Sequence, residues 1–206
     1  MLKTELGWSL AVFVVVASGC ASDLSERLAG QEAQLEAPEL LTVEDDGDAT
    51  WVRVDASSSN EWVHLRLSEM VAGQGAEPGE VDAAWDLAFQ RFMIRTNGGA
   101  SGTAGVEVAV LTDVAFEALA EAPAAGYAQD APDSNGDGEV EPVFEMVGEG
   151  WYIYDFSTHT LSPRPLVYVV KTFDERCFKL EFLDYYDDAG SSGHPSFRLA
   201  PLSPPA

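Results

Sequence analysis

Residues 165–186 read PLVYVVKTFDERCFKLEFLDYY, and the pattern of this stretch decides the fold class. Two β-rich runs, PLVYVVKT (165–172) and CFKLEFLDYY (177–186), flank the short linker Phe173-Asp174-Glu175-Arg176. In the second run Phe178, Leu180 and Phe182 recur at every other position, the signature of a strand with one buried face. Two such runs joined by a short, mostly polar connection predict an antiparallel hairpin. Cys177 falls on the face opposite the three apolar residues and reads as a structural or surface thiol.

Outward from this hairpin the period of two persists. TWVRVD (50–55) places Val52 and Val54 on one face. EWVHLRL (61–67) does the same with Val63, Leu65 and Leu67, so the two runs predict a second hairpin across Ser57-Ser58-Ser59-Asn60. After a loop over 68–84, WDLAFQRFMIRT (85–96) predicts one long strand with Arg91, Met93 and Arg95 sharing a face. It ends at Asn97-Gly98-Gly99-Ala100-Ser101-Gly102. VEVAVL (106–111) and WYIYDF (151–156) add strands, and SFRL (196–199) an edge strand. Asp113–Ala122 predicts the one short helix, with Val114, Ala115 and Leu119 inward and Pro123 as its stop. The expected architecture is mainly β: a single antiparallel β domain over 49–200, with one short helix, long loops and a Pro-rich tail at 201–206.

The N-terminal residues carry a different signal. Lys3 precedes an apolar stretch over 6–16, and Ala17-Ser18-Gly19 leads into Cys20. The stretch is shorter than the roughly 20 residues of a membrane span, and the order reads as a secretory signal peptide over 1–19. Small residues ending on cysteine read as a lipobox, with Cys20 as the lipidated residue and Ala21 favouring outer-membrane delivery. Residues 20–48, which lack aromatics, read as a lipidated acidic tether.

The chain of 206 residues has 11 Lys+Arg against 35 Asp+Glu, a formal charge of −24. That balance excludes a nucleic-acid binder, which must neutralise phosphates, and disfavours adsorption to anionic lipid. Hydrophobic residues at 46 % exclude wholesale disorder. No nucleophile elbow and no phosphate loop are present, so an enzyme is not expected. Asp133-Ser134-Asn135-Gly136-Asp137-Gly138-Glu139 does resemble the first half of a calcium loop, with Asp133, Asn135, Asp137 and Glu139 as candidate oxygen ligands. Its twelfth position is Phe144 rather than glutamate, so a solvated acidic turn is the alternative. No Lys or Arg lies between Arg95 and Arg164, a gap holding twelve acidic residues and therefore receptive to cations. His64, His159, His194, Met70, Met93 and Met146 make up the soft or borderline donors a haem iron would use.

Several blocks in a fixed order carry a resemblance. Trp85-Asp86-Leu87-Ala88-Phe89 runs to Arg95-Thr96-Asn97-Gly98-Gly99, and the Asp-x-Asn-x-Asp-Gly loop follows. Next come Trp151-Tyr152-x-Tyr154-Asp155 and Thr158-His159-Thr160-Leu161-Ser162-Pro163, then Val167–Val170 and Phe178–Phe182. Over roughly 50–198 this order resembles the HmuY-like haem-binding lipoproteins. The resemblance implies an almost all-β fold and a lipid-anchored protein at the outer membrane, surface-exposed or shed. It also implies capture of haem or a related porphyrin for uptake, with a TonB-dependent receptor as a possible recipient. Members clamp the iron between two axial side chains on separate loops. His159 lies in the right part of the chain for one ligand, Tyr127 and Met146 are candidates for the other, and Arg91, Arg95 or Arg164 for the propionates. The rival reading is a calcium-stabilised structural or protein-interaction lipoprotein on the same fold without a haem site.

Overall fold

A computed structural model describes residues 40–71, 84–146 and 150–205 of the chain, with the side chain of Met146 excepted. The expected signal peptide, the Cys20 lipidation site and most of the expected tether lie outside the described residues, as does most of the 68–84 loop.

Twelve described strands form three antiparallel sheets. The largest has the order β1-β2-β12-β11-β10-β6-β7. Its members are β1 (Leu41–Asp46), β2 (Ala49–Val54), β6 (Glu107–Leu111), β7 (Tyr127–Ala128), β10 (Val167–Lys171), β11 (Cys177–Tyr186) and β12 (Ser192–Leu202). A three-stranded sheet pairs β3 (Val63–Leu65), β4 (Leu87–Gln90) and β5 (Met93–Thr96). The third is a two-stranded hairpin of β8 (Tyr152–Asp155) and β9 (Thr160–Pro163). Two short helices, α1 (Leu67–Val71) and α2 (Val143–Met146), and a 3-10 turn at Phe116–Ala118 complete the described elements.

The expected hairpin over 165–186 is present. Tyr168 pairs with Leu180 and Val170 with Phe178, so alternate residues stack on one face. That face carries Val52, Val54, Tyr168, Val170, Phe178, Leu180, Phe182, Phe197 and Leu199 into the main core. The small sheet closes the same core: Phe89 lies parallel to Phe197 with ring centroids 5.9 Å apart. The opposite face carries Ala109, Val169, Cys177 and Leu202, with Tyr127 packed against them. Cys177 is a buried free thiol there, on the side the alternation predicts.

Several expectations are corrected. The runs at 50–55 and 61–67 do not pair with each other. β2 lies between β1 and β12, whereas β3 pairs with β4 in the other sheet. Val52 and Val63 are buried as expected, but period two specifies a buried face and not a partner. The SFRL run belongs to an eleven-residue strand inside the large sheet rather than at its edge. That strand runs to Leu202, and Ser203 bridges to Glu121, so the start of the expected tail belongs to the sheet. At the other end, Leu41–Asp46 of the expected tether forms edge strand β1, whose Glu44, Asp45 and Asp46 discourage pairing with another chain. The long strand over 85–96 is two strands that turn at Arg91-Phe92, with Arg91 at φ 56°. This takes Arg91 off the face that Met93 and Arg95 still share in β5.

The helix expected over Asp113–Ala122 is reduced to the 3-10 turn at Phe116–Ala118. Tertiary contacts override its alanine-rich composition. Phe116 is buried, the Lys179 ammonium and the Arg198 guanidinium lie over its ring, and Lys179 Nζ donates to the carbonyls of Phe116 and Leu119. The Phe116 carbonyl is thereby shared between Lys179 and the Leu119 N–H of the 3-10 turn, and the Leu119 carbonyl goes to Lys179.

Three buried polar side chains fasten the loops between sheets. The Asp86 carboxylate accepts from the backbone N–H of Leu67 at 2.9 Å and of Phe173 at 3.1 Å, tying α1 and the β10–β11 turn to β4. Asp130 accepts from Thr96 N–H and Val143 N–H, fixing the start of α2. Asn97 Oδ1 accepts from Thr103 and Ala104 N–H while its Nδ2 donates to the Trp85 carbonyl. The glycines of this turn are steric requirements. A Cβ on Gly102 would lie 2.1 Å from Asn97 Oδ1, and Gly99, at φ +60°, would place one 2.0 Å from the Asp130 carbonyl oxygen.

Candidate functional site

The β8–β9 hairpin is the described sheet with only two strands, and it hangs on the body by Trp151. This indole is fully buried, its ring 4.5 Å from that of Phe182, and its Nε1 donates to the Phe92 carbonyl at 2.8 Å. Leu161 N–H donates to the Tyr186 hydroxyl, which ties β9 to β11. At the hairpin base Tyr152 packs edge-on to Phe92. Burial, with the nearby Glu145 carboxylate, pushes its hydroxyl up.

The register pairs Tyr152 with Pro163 at the base and Asp155 with Thr160 at the tip. The tip is a four-residue turn built by local polar groups. Asp155 accepts from the backbone and hydroxyl of Ser157, which holds its carboxyl below the usual carboxylate range, and His159 N–H donates to the Asp155 carbonyl at 2.8 Å. His159 takes φ 57°, the left-handed region that histidine enters more readily than most residues. Its Nδ1 lies 2.8 Å from the Tyr154 hydroxyl, and Phe156 packs edge-on against Tyr154 at 4.9 Å. Ile153, Tyr154 and Phe156 are all exposed, Phe156 at 81 %. Apolar rings at that exposure beside an imidazole form the surface feature of the described residues that packing leaves unexplained.

The other proposed donors are placed elsewhere. Tyr127 lies in β7 against Ala109 and Cys177, on the sheet face opposite the Trp151 core. It lines a groove of about 350 Å³ with Cys177, Lys171 and Pro123, and burial pushes its hydroxyl up to about 12. Tyr127, one of the two candidates for a second ligand, thus packs on the sheet face opposite the core that holds the hairpin's Trp151 anchor. Met146 ends α2, the helix just before the Trp151 anchor in the chain. Among the arginines, Arg91 donates to the Ser57 carbonyl and the Ser192 hydroxyl, and Arg95 pairs with Glu139 and stacks on Trp62. Arg164, just after β9, donates to the Tyr152 carbonyl at the hairpin base. The remaining histidines are engaged structurally. His64 packs edge-on to Trp85, with burial pushing its pKa down, and His194 sits 3.4 Å from Asp55.

The calcium expectation is not met. Among the described residues no group of three or more His, Cys, Asp or Glu side chains is arranged to hold a metal ion. Asp133 turns its oxygens onto the N–H groups of Asn135, Gly136 and Gly138, Asn135 caps Asp137, and Asp137 caps Glu139. Glu139 itself bonds to Arg95. The loop spends its acceptors on its own backbone, which is the turn chemistry that Asp, Asn and Gly support.

Fold and site together define an antiparallel β protein that presents an imidazole on a hairpin anchored by tryptophan. The family model described as HmuY protein matches residues 48–199, and the chain belongs to that family. Among solved structures it is similar to the apo HmuY analog of Tannerella forsythia at 19 % identity and a TM-score of 0.54, covering 77 % of this chain and 95 % of that one. It is also similar to a candidate lipoprotein from Bacteroides fragilis NCTC 9343 at 22 % identity and a TM-score of 0.52, covering 76 % and 93 %. Among curated proteins none matches the chain. At these identities the structural likeness establishes the fold.

Trp151 and Asp86 were not singled out by sequence reasoning as structural anchors. Asp86 had a usable signal, a lone carboxylate inside the apolar run Trp85–Phe89. Trp151 had none beyond its size.

Proposed function

We propose that this protein captures haem or a related porphyrin without transforming it, and that the β8–β9 hairpin is where it does so. The observation that carries the reading is His159, held at Nδ1 by Tyr154 beside the exposed rings of Tyr154 and Phe156. Among the described residues no partner meets Nε2. A porphyrin needs an apolar surface for its macrocycle and a nitrogen or sulfur donor for its iron, and these residues fit both needs. His159 would hold the iron through Nε2, and the porphyrin would supply the metal that this chain's own residues lack. The chain's own residues orient that imidazole and shield one face of the macrocycle from water. Met146, close to the hairpin in sequence, is the proposed second donor, and Arg164 the proposed propionate contact. Membership of the HmuY family supports the haem reading, the lipobox ending at Cys20 supports an exported, lipid-anchored protein, and a TonB-dependent receptor is the proposed recipient of the cargo.

Haemin titration of the purified protein, followed in the Soret region, tests the reading. The expected result is saturable binding with a sharp low-spin spectrum, weakened at least about tenfold in His159→Ala, the equivalent of roughly 1.4 kcal/mol. A broad, non-saturating spectrum that is the same in the variant would overturn it.

A further inference from the structure

The Tyr154 hydroxyl and the His159 imidazole form a pair whose proton placement the haem reading leaves unassigned. Tyr154 Oη lies 2.8 Å from Nδ1, inside hydrogen-bond distance, and so closes that nitrogen to any metal. The two rings come from facing sides of one turn, with centroids 6.1 Å apart and planes 54° from each other, so the contact is made by the polar tips rather than by stacking. Both partners are held independently. Phe156 meets Tyr154 edge-on at an interplanar angle of 88°, and the His159 backbone is fixed by its N–H to the Asp155 carbonyl. The surrounding hydroxyls are committed elsewhere: Ser157 Oγ donates to Asp155, and Thr158 and Thr160 pair with each other at 2.7 Å. Tyr154 is thus the side chain whose hydroxyl meets His159 Nδ1.

We infer that Tyr154 is the positioning residue of His159: its oxygen accepts the Nδ1–H, so that Nε2 carries the lone pair and faces outward. Histidines that ligate metals owe their ring orientation and tautomer to such a partner, and losing it typically weakens metal affinity about 10–100-fold. The functional consequence rests on the haem reading, but the tautomer is a property of the protein alone.

The test therefore has two arms. Imidazole nitrogen shifts of the full, uniformly labelled protein are measured by long-range proton–nitrogen correlation, without porphyrin, for wild type and Tyr154→Phe. The phenylalanine keeps the ring and its contact with Phe156. The wild type is expected to show the Nδ1–H form of neutral His159, and the variant to move towards the Nε2–H form. An Nε2–H wild type, or a variant with unchanged shifts, overturns the inference. In the second arm haemin affinity is compared for wild type, Tyr154→Phe and His159→Ala, with a loss of about tenfold expected for Tyr154→Phe. Unchanged affinity in both variants would defeat the haem reading of this hairpin. A loss in His159→Ala with none in Tyr154→Phe would defeat the positioning role alone. Binding that survives His159→Ala but is abolished in Tyr154→Phe would make the phenol oxygen the ligand and equally overturn it.

Discussion

Replacing Trp151 with alanine is expected to cost about 3–5 kcal/mol of stability, as removal of a fully buried aromatic side chain typically does. The indole is enclosed by Phe182, Tyr152 and Tyr185, with ring centroids 4.5, 5.4 and 6.1 Å away. Its Nε1 also satisfies the Phe92 carbonyl, so truncation leaves both a cavity and an orphaned acceptor. Such a loss is comparable to the whole stability of a marginal domain, on the order of 5–15 kcal/mol. Trp151→Phe retains most of the ring volume and loses the hydrogen bond, and should cost about 1–2 kcal/mol. Guanidinium denaturation followed by far-UV circular dichroism gives both numbers. A loss below about 1 kcal/mol in Trp151→Ala would mean that the hairpin is not hung on this residue.

The second large effect belongs to Asp86. Its carboxylate is fully buried, and burial pushes its pKa from 3.8 up to about 6 despite the N–H bonds from Leu67 and Phe173, which pull the other way. Asp174 adds to the rise and Arg176 opposes it. Because the folded pKa lies above the unfolded value, the native state binds the extra proton, and the penalty for the buried charge grows as pH rises from about 4 to above 6. This residue alone therefore makes the protein about 1 kcal/mol more stable at pH 5 than at pH 7. Asp86→Ala removes that dependence and strands two buried donors, at a cost of about 2 kcal/mol or more. The loss in the variant should accordingly be larger at pH 5 than at pH 7. Urea titrations at the two pH values read both effects, and equal losses would show that the carboxyl does not change protonation in this window.

The pattern of what the sequence revealed follows from the range of each interaction. The β10–β11 hairpin was legible because its two strands, their alternation and their turn lie within 22 residues of each other. The partner of β2 was not, because β12 lies at the far end of the chain and any strand with an apolar face could have taken its place. The helix expected at Asp113–Ala122 failed because Lys179 and Arg198, remote in sequence, claim its carbonyls and its phenylalanine. In the candidate site, the turn around His159 was readable from Ser157-Thr158-His159-Thr160. The separation of Tyr127 from it was not, since only the sheet order places that tyrosine on the opposite face. The contact between Tyr154 and His159 could not be read at all without the turn geometry that folds position 159 back over position 154.

Capture of porphyrin on the β8–β9 hairpin is tested by adding gallium(III) protoporphyrin, a diamagnetic stand-in for haemin, to the nitrogen-15-labelled protein while amide shifts are recorded. Perturbations are expected to concentrate on 152–163 and on Phe92, with the amides around Tyr127 and Cys177 unmoved. Perturbations centred on the Tyr127–Cys177 groove, or spread evenly over the surface, would contradict it.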